Sequence, residues 1–145
     1  MVHDFVRFPE LTNSQMDVYY WNSPHKQIVD SFHCRVVKVT DGDTIRVETN
    51  FRDFDFPIRL LDINAPEMNE GGQEAKDWLT DQVLNAEIEV IVDPFQRVGK
   101  WGRLLGKIFH RGMDMGETMM ILGLATKFDE RNEGKIGEIK WQEFQ

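Results

Sequence analysis

Three features common in other protein classes are scarce or absent in this sequence of 145 residues. Cys34 is its single cysteine, so an intrachain disulfide and a cysteine-based zinc site are both excluded, and we expect Cys34 to be a small core hydrophobe. The longest unbroken aliphatic stretch covers residues 119–122, far below the roughly 20 apolar residues of a membrane-spanning helix. Residues 1–30 lack the basic start and apolar run of a secretory signal. These absences predict a soluble, cytoplasmic protein with no membrane partner.

Positive charge is also in short supply. The chain has 17 basic and 25 acidic residues, which gives a formal net charge of -8. A generally basic surface that would coat a nucleic acid is therefore excluded, and any polyanion must be bound locally. The composition divides the chain into an aromatic and polar N-terminal extension (1–30), a patterned centre (31–128) and a short polar C-terminal tail (129–145). The length suits one domain, which the centre should supply.

The hydrophobic pattern of the centre predicts five strands and two helices. The segments that read as strands are 34–39, 45–48, 56–60, 88–92 and 104–109. Residues 40–44 form a turn cluster that makes the first two strands a hairpin. Residues 73–85 carry an apolar stripe at helical spacing, and so do residues 113–122, where Met115, Met119 and Leu122 share a face before Gly123. The order of these elements favours an α+β, mainly β fold: a five-stranded OB-fold barrel with two or three helices.

Three clusters of polar residues lie at predicted strand ends or in loops. They are Asp41-Gly42-Asp43-Thr44, then Arg59-Leu60 followed by Asn64-Ala65-Pro66-Glu67, and finally Lys100-Trp101-Gly102-Arg103. Hydrolysis of a phosphodiester needs cationic donors, a metal ion or both, together with a group that orients water. A guanidinium binds phosphate oxygens through paired donors, so two arginines and a glutamate are suitable side chains for this chemistry. In this order the clusters resemble the motifs of the staphylococcal-nuclease-like (thermonuclease) family over residues 35 to 127.

The resemblance assigns roles to five of these residues. It implies that Arg59 and Arg103 contact the scissile phosphate and that Glu67 acts on the attacking water, as the candidate catalytic residues. Lys100 matches a family position that contacts phosphate, and Trp101 beside it is a further candidate substrate-binding residue. The implied activity is hydrolysis of single-stranded or double-stranded DNA, of RNA, or of both, with release of 3'-phosphate ends.

The resemblance also implies a single calcium ion. Its ligands would be the carboxylate of Asp43, the side chain at position 64 and the backbone carbonyl of Ala65. The family usually has an aspartate where this chain has Asn64. An amide oxygen can coordinate calcium, but the loss of one negative charge should weaken the affinity and leaves another divalent cation open.

A second hypothesis is a non-catalytic OB-fold module that binds nucleic acid or a protein partner. Three features favour this hypothesis: Asn64, the net charge of -8, and the sequence of residues 126–131. The family often has a tyrosine pair in that last segment. The aromatic run 19–21 could pack against the barrel or serve as a platform for a partner or a nucleotide. The sequence does not indicate the oligomeric state.

Overall fold

The structure is a computed structural model that describes residues 3–99 and 102–128. The helices and strands of this part of the chain follow one another in the order α1 (Asn13–Tyr19), β1 (Phe32–Asp41), β2 (Thr44–Glu48), β3 (Phe56–Leu60), β4 (Ile63–Asn64), α2 (Gly72–Val83), β5 (Glu87–Ile91), β6 (Leu104–His110), β7 (Met113–Asp114), α3 (Met115–Ile121) and β8 (Thr126–Lys127). Single 3₁₀ turns lie at Tyr20–Asn22 and Met68–Glu70.

Five of these strands close into a barrel, as the sequence predicts. The strands are hydrogen-bonded in the order β3-β2-β1-β5-β6, and β6 returns to pair with β3 in parallel, which removes both edges of the sheet. The other pairings within the barrel are antiparallel. The predicted α+β, mainly β fold, a five-stranded OB-fold barrel with two or three helices, is therefore confirmed, and the described residues form three helices. The short pairs β4–β8 and β6–β7 are additions that the hydrophobic pattern does not reveal.

The barrel core explains the strand pattern. Along β1, Cys34 and Val36 point inward, and the next inward residue is Val39, because the register with β2 shifts between Val36 and Lys38. A bulge of this kind moves the alternation by one residue and bends the strand. Burial, and to a smaller extent the negative charge of Glu87, raises the pKa of Cys34 to about 12, so the thiol is a core hydrophobe as expected.

Helix α2 covers one side of the barrel. Its buried residues Ala75, Leu79 and Val83 follow the predicted stripe, and Asn85 just beyond the helix adopts a left-handed conformation, as a stop signal should. For these reasons the prediction of a helix over 73–85 is confirmed to within two residues at either end.

Helix α3 is shorter than predicted. Met113 and Asp114 pair with His110 and Phe109 as strand β7, and the Asp114 side chain then accepts the Glu117 N–H as an N-cap at 3.1 Å. Met115 and Met119 are buried, but Leu122 is 54% exposed, so its predicted place on the buried face is wrong. The helix ends before Leu122 can complete the stripe.

The N-terminal extension packs on the barrel through charged and aromatic side chains. Its helix α1 begins with a capping box in which Thr12 and Gln15 exchange side-chain-to-backbone hydrogen bonds at 3.2 and 3.0 Å. Of the aromatic run 19–21, Trp21 is 89% exposed. The extension from residue 3 to residue 30 is called the arm below.

No helix in the described part of the chain has the length and apolar character needed to cross a membrane. The predicted tail of residues 129–145 lies outside the described residues.

Candidate active site

Residues from each of the three polar clusters line one cavity of about 250 Å³. The β1–β2 turn, the segment that follows β3, and the residue before β6 each contribute to its walls. The lining residues are Asp41, Asp43, Arg59, Asn64, Ala65, Pro66, Glu67, Met68 and Arg103. Acidic, basic and amide groups thus converge at one mouth of the barrel.

The β1–β2 turn is brought into the site by the absence of a side chain at Gly42. A Cβ atom at this position would lie 2.7 Å from the Ala75 Cβ and 2.8 Å from the Ala65 Cβ, closer than real Cβ contacts allow. Only glycine lets the turn approach both α2 and the segment after β3. The approach places the Asp43 carboxylate where its Oδ2 accepts the Ala65 N–H at 3.0 Å.

Arg59 forms the buried wall of the cavity. It is 7% exposed, and its Nη1 donates to the carbonyl oxygens of Leu60 at 2.8 Å and Ile63 at 2.9 Å. Its Nη2 donates to the Asn64 Oδ1 at 2.9 Å and lies 3.5 Å from the Asp43 Oδ2. The left-handed residue Asp62, with φ of 68°, turns the chain so that these acceptors surround the guanidinium. The position of Arg59 is therefore fixed by residues that follow it within five positions and by Asp43.

Glu67 also lines the cavity, at the point where the chain enters a 3₁₀ turn. Its backbone oxygen accepts the N–H groups of Glu70 and Gly72, at 2.8 and 2.9 Å. A Cβ atom on Gly72 would lie 2.4 Å from the Pro66 carbonyl oxygen, so the start of α2 is pressed against this segment. The side chain of Glu67 is exposed at the cavity mouth, where water reaches it.

Arg103 completes the cavity from the loop between β5 and β6. Its Nη1 donates to the Thr44 Oγ1 at 3.3 Å, and its backbone oxygen accepts the Gly99 N–H at 2.8 Å. Thr44 Oγ1 in turn donates to the Asp43 Oδ1 at 3.2 Å. Arg103 is half-buried, so its guanidinium can face a ligand in the cavity.

Two carboxylates lie side by side at the β1–β2 turn. Asp41 Oδ1 accepts the Asp43 N–H at 3.1 Å. Burial raises the pKa of Asp41 to about 6, and the hydrogen bond and negative charge of Asp43 add to the effect. Asp41 is the acidic group that sequence reasoning left without a role, although it belongs to the same motif as Asp43. The sequence shows only that Asp41 shares a motif with Asp43, and the folded barrel is what brings its side chain to the cavity.

The donor atoms at this turn fit a hard divalent cation. Asp41 and Asp43 supply carboxylate oxygens, and Asn64 and Ala65 supply amide and backbone oxygens, which are the ligands that calcium prefers. The raised pKa of Asp41 reflects burial first and then the neighbouring Asp43, and a bound cation would favour the charged form of Asp41. Within residues 3–99 and 102–128, no group of three or more His, Cys, Asp or Glu side chains could hold a metal ion. Neutral oxygen donors would have to complete the site.

The structure brings together six of the eight residues that the sequence assigns to the site. These are Asp43, Arg59, Asn64, Ala65, Glu67 and Arg103. Lys100 and Trp101, the predicted substrate-binding pair, lie outside the described residues. The Asn64 side-chain oxygen, predicted as a metal ligand, already accepts a hydrogen bond from Arg59.

Several known proteins are similar to this chain. An "uncharacterized endonuclease" of Escherichia coli is 38% identical over 107 residues, which cover 72% of this chain and 66% of that protein. A second protein of that description, from Haemophilus influenzae, is 29% identical over 106 residues, or 71% of this chain and 56% of the relative. The micrococcal nuclease of Shigella flexneri is 35% identical over 79 residues, or 54% of this chain and 42% of the relative. The chain thus spans about two thirds or less of the length of these relatives.

A family match covers more than half of the chain. Residues 57–145 match the family described as "Staphylococcal nuclease homologue". This range includes Arg59, Glu67 and Arg103, while the Asp41–Asp43 turn precedes it. Together with the barrel and the cavity, the match shows that the chain belongs to the staphylococcal nuclease homologue family.

Proposed function

We propose that this protein is a nuclease that hydrolyses phosphodiester bonds of DNA, RNA or both. The observation that carries the proposal is the cavity itself, in which two guanidinium groups face a pair of carboxylates and a separate exposed glutamate. The names of the relatives, two endonucleases and a micrococcal nuclease, agree with this chemistry. The two arginines would bind a polyanion locally, as a chain with a net charge of -8 requires.

The arginines and the glutamate have complementary tasks in such a reaction. Arg59 and Arg103 donate hydrogen bonds to the non-bridging phosphate oxygens, whose negative charge grows in the transition state. Glu67 accepts a proton from the water that attacks phosphorus. If the bond to the 5' oxygen breaks, the products carry 3'-phosphate ends, which is the outcome we propose.

Calcium is the proposed metal, and Asp41, Asp43, Asn64 and Ala65 are the residues that would hold it. When bound, a calcium ion supplies positive charge that polarises the phosphate. Asp41 adds the second carboxylate that the set of Asp43, Asn64 and Ala65 lacks. Asn64 contributes a neutral donor and keeps Arg59 in place through the 2.9 Å hydrogen bond.

The test is cleavage of end-labelled single-stranded and double-stranded DNA and of RNA by the purified protein. It is run with calcium, with magnesium and with a chelator, for the wild-type protein and for Glu67→Gln. We expect cleavage by the wild-type protein with calcium, and a loss of roughly 10²–10⁴-fold in Glu67→Gln, the range for removing a general base. Glu70→Gln, a change of the same kind in the adjoining 3₁₀ turn, is the matched control and should cleave normally.

The products and the failures are equally informative. A kinase should label the 5' ends of the fragments without prior phosphatase treatment, because those ends are hydroxyls. The 3' ends should block extension by a polymerase until a phosphatase removes the phosphate. Together these two results would establish 3'-phosphate ends. Cleavage with magnesium but not with calcium would contradict the choice of metal. Salt-dependent binding of oligonucleotides without any cleavage would contradict the nuclease hypothesis and support the non-catalytic OB-fold module.

A further inference from the structure

The arm is attached to the same loop that carries Arg103. This loop, residues 92–103 between β5 and β6, is called the Arg103 loop. Arg97 in this loop is 3% exposed and donates to three acceptors of the arm: the Ile28 oxygen at 2.7 Å, and the Leu11 oxygen and Asn13 Oδ1 at 2.9 Å each. Asn13 Nδ2 returns a hydrogen bond to the Pro94 oxygen at 2.9 Å. The arm and the Arg103 loop are thus joined by several hydrogen bonds.

A buried charge cluster secures this junction. Glu10 of the arm is 2% exposed and forms an ion pair with Arg52, while its Oε2 lies 3.6 Å from the Arg97 Nη2. The same oxygen accepts the Ile28 N–H at 3.2 Å. Removing either partner from such a pair leaves an uncompensated buried charge, so the pairing strongly favours one arrangement of the arm.

The arm also contacts the loop at the residue next to Arg103. The Phe8 ring lies directly on the backbone of Gly102, the residue before Arg103. A Cβ atom on Gly102 would be 2.8 Å from the Phe8 Cδ1 and 3.1 Å from its Cβ. Gly102 has a φ of 74° and donates its N–H to the Gly99 oxygen at 3.0 Å, so the ring packs on a backbone position that is itself held by a hydrogen bond.

We propose that Phe8 is a positioning residue for the candidate active site: by packing on Gly102 it holds the backbone that aims Arg103 into the cavity. The proposal rests on the proposed function and extends it to the arm. Among the described residues, the guanidinium of Arg103 has a hydrogen bond to Thr44 of 3.3 Å, a long distance for a group that must be fixed. Its position is therefore determined largely by the backbone that carries it. A displacement of about 1 Å at such a group can cost on the order of 10²-fold in rate.

The first test compares Phe8→Ala with a matched control in steady-state cleavage of single-stranded DNA. Val6, two residues away in the arm, is 92% exposed, so Val6→Ala should cleave like the wild-type protein. We expect Phe8→Ala to lower kcat by about 10- to 100-fold, because the misplaced arginine is needed in the transition state. Phe8→Leu, which keeps most of the contact with Gly102, should recover most of that loss.

A double-mutant cycle separates positioning from general damage to the fold. In the Arg103→Ala background there is no guanidinium left to aim, so Phe8→Ala should cause no further loss of kcat. An equal loss in both backgrounds would overturn the proposal, since it would mean that Phe8 acts on stability alone. Wild-type rates in Phe8→Ala would overturn it as well.

A second measurement does not depend on catalysis. Amide hydrogen exchange at Gly99, Gly102 and Leu105, whose N–H groups donate to backbone oxygens of the loop or of Arg103, should be at least tenfold faster in Phe8→Ala than in the wild-type protein. Exchange at Ile45 and Ile58 of the barrel should not change. If the wild-type protein cleaves nothing, the proposed function fails, and this experiment still decides whether Phe8 holds the loop. Unchanged exchange at Gly99 and Gly102, or faster exchange throughout the barrel, would contradict the proposal.

Discussion

The two arginines of the cavity have the same proposed task but are held in different ways. Arg59 is 7% exposed and has its acceptors in the residues that follow it, Leu60, Ile63 and Asn64. Arg103 is half-buried, and the loop that carries it is fastened to the arm through Arg97 and Gly102. One wall of the site is thus part of the barrel, whereas the other depends on a segment some 90 residues earlier in the chain. The same proposed task can therefore depend on local structure at one arginine and on remote structure at the other.

The largest effect on stability is expected from Glu10→Gln, which tests how firmly the arm is attached. The substitution leaves Arg52 and Arg97 buried without their carboxylate, and breaking a buried pair in this way costs about 3–5 kcal/mol. Urea unfolding followed by tryptophan fluorescence measures the loss. The control is Glu48→Gln, because Glu48 pairs with Arg35 at the surface and such pairs contribute about 0–1 kcal/mol. Equal losses would mean that the arm is not anchored by charge.

The next-largest effects are expected from replacing each arginine of the cavity in turn, and they distinguish Arg59 from Arg103. Arg59→Met and Arg103→Met should each lower kcat/KM by about 10²–10³-fold, the range for removing one donor to a developing negative charge. Their effects on stability should differ. Arg59→Met leaves buried carbonyl oxygens without a donor and should lower the free energy of unfolding by about 1–3 kcal/mol.

Arg103→Met should change the free energy of unfolding by no more than about 0.5 kcal/mol, as is usual away from buried networks. Paired cleavage and unfolding measurements on the two variants check the contrast. Similar free energies of unfolding for Arg59→Met and Arg103→Met would mean that the two arginines do not differ in how firmly the surrounding structure holds them.

The smallest effect is a pH dependence of the arm. Burial lowers the pKa of His25 below its usual value, and the nearby positive charge of Arg52 adds to this, against the opposing hydrogen bond to the Pro9 oxygen and the negative charges of Glu10 and Asp53. The folded protein therefore prefers neutral His25. At His25 the unfolded chain binds more protons between the lowered pKa and about 6.5, so the contribution of His25 to the free energy of unfolding should fall as the pH decreases through this window. The raised pKa of Asp41 acts in the opposite direction, so the His25 contribution is read from the difference between the wild-type protein and a His25 variant.

Urea midpoints between pH 8 and pH 5 measure this slope. The slope should be smaller in His25→Gln and unchanged in His33→Gln, because His33 is exposed on β1. A wild-type slope in His25→Gln would assign the dependence to other groups.

The sequence was a good guide wherever neighbours along the chain determine the structure. The five barrel strands and the start of α2 were predictable because alternation and helical spacing report burial of one face. The motifs around Asp43, Arg59 and Glu67 lie beside strands whose ends meet in the barrel, so their convergence followed from the fold. The predicted helix over 113–122 failed at both ends, because pairing with β6 drew Met113 and Asp114 into a strand and Leu122 lies beyond the last turn of α3.

The sequence by itself therefore determined the barrel, the family resemblance and most of the cavity lining, since these depend on periodicity and on short motifs. The sequence also contains the Thr12 and Gln15 capping box of α1, but no strong hydrophobic pattern follows it, because none of the residues of α1 is buried. Only the tertiary structure decided that Asp41 joins the site, that Glu10 is buried between two arginines, and that Phe8 packs on Gly102. These contacts join residues far apart in the chain, and no local periodicity records which distant partner will compensate a buried charge or fill the space beside a glycine.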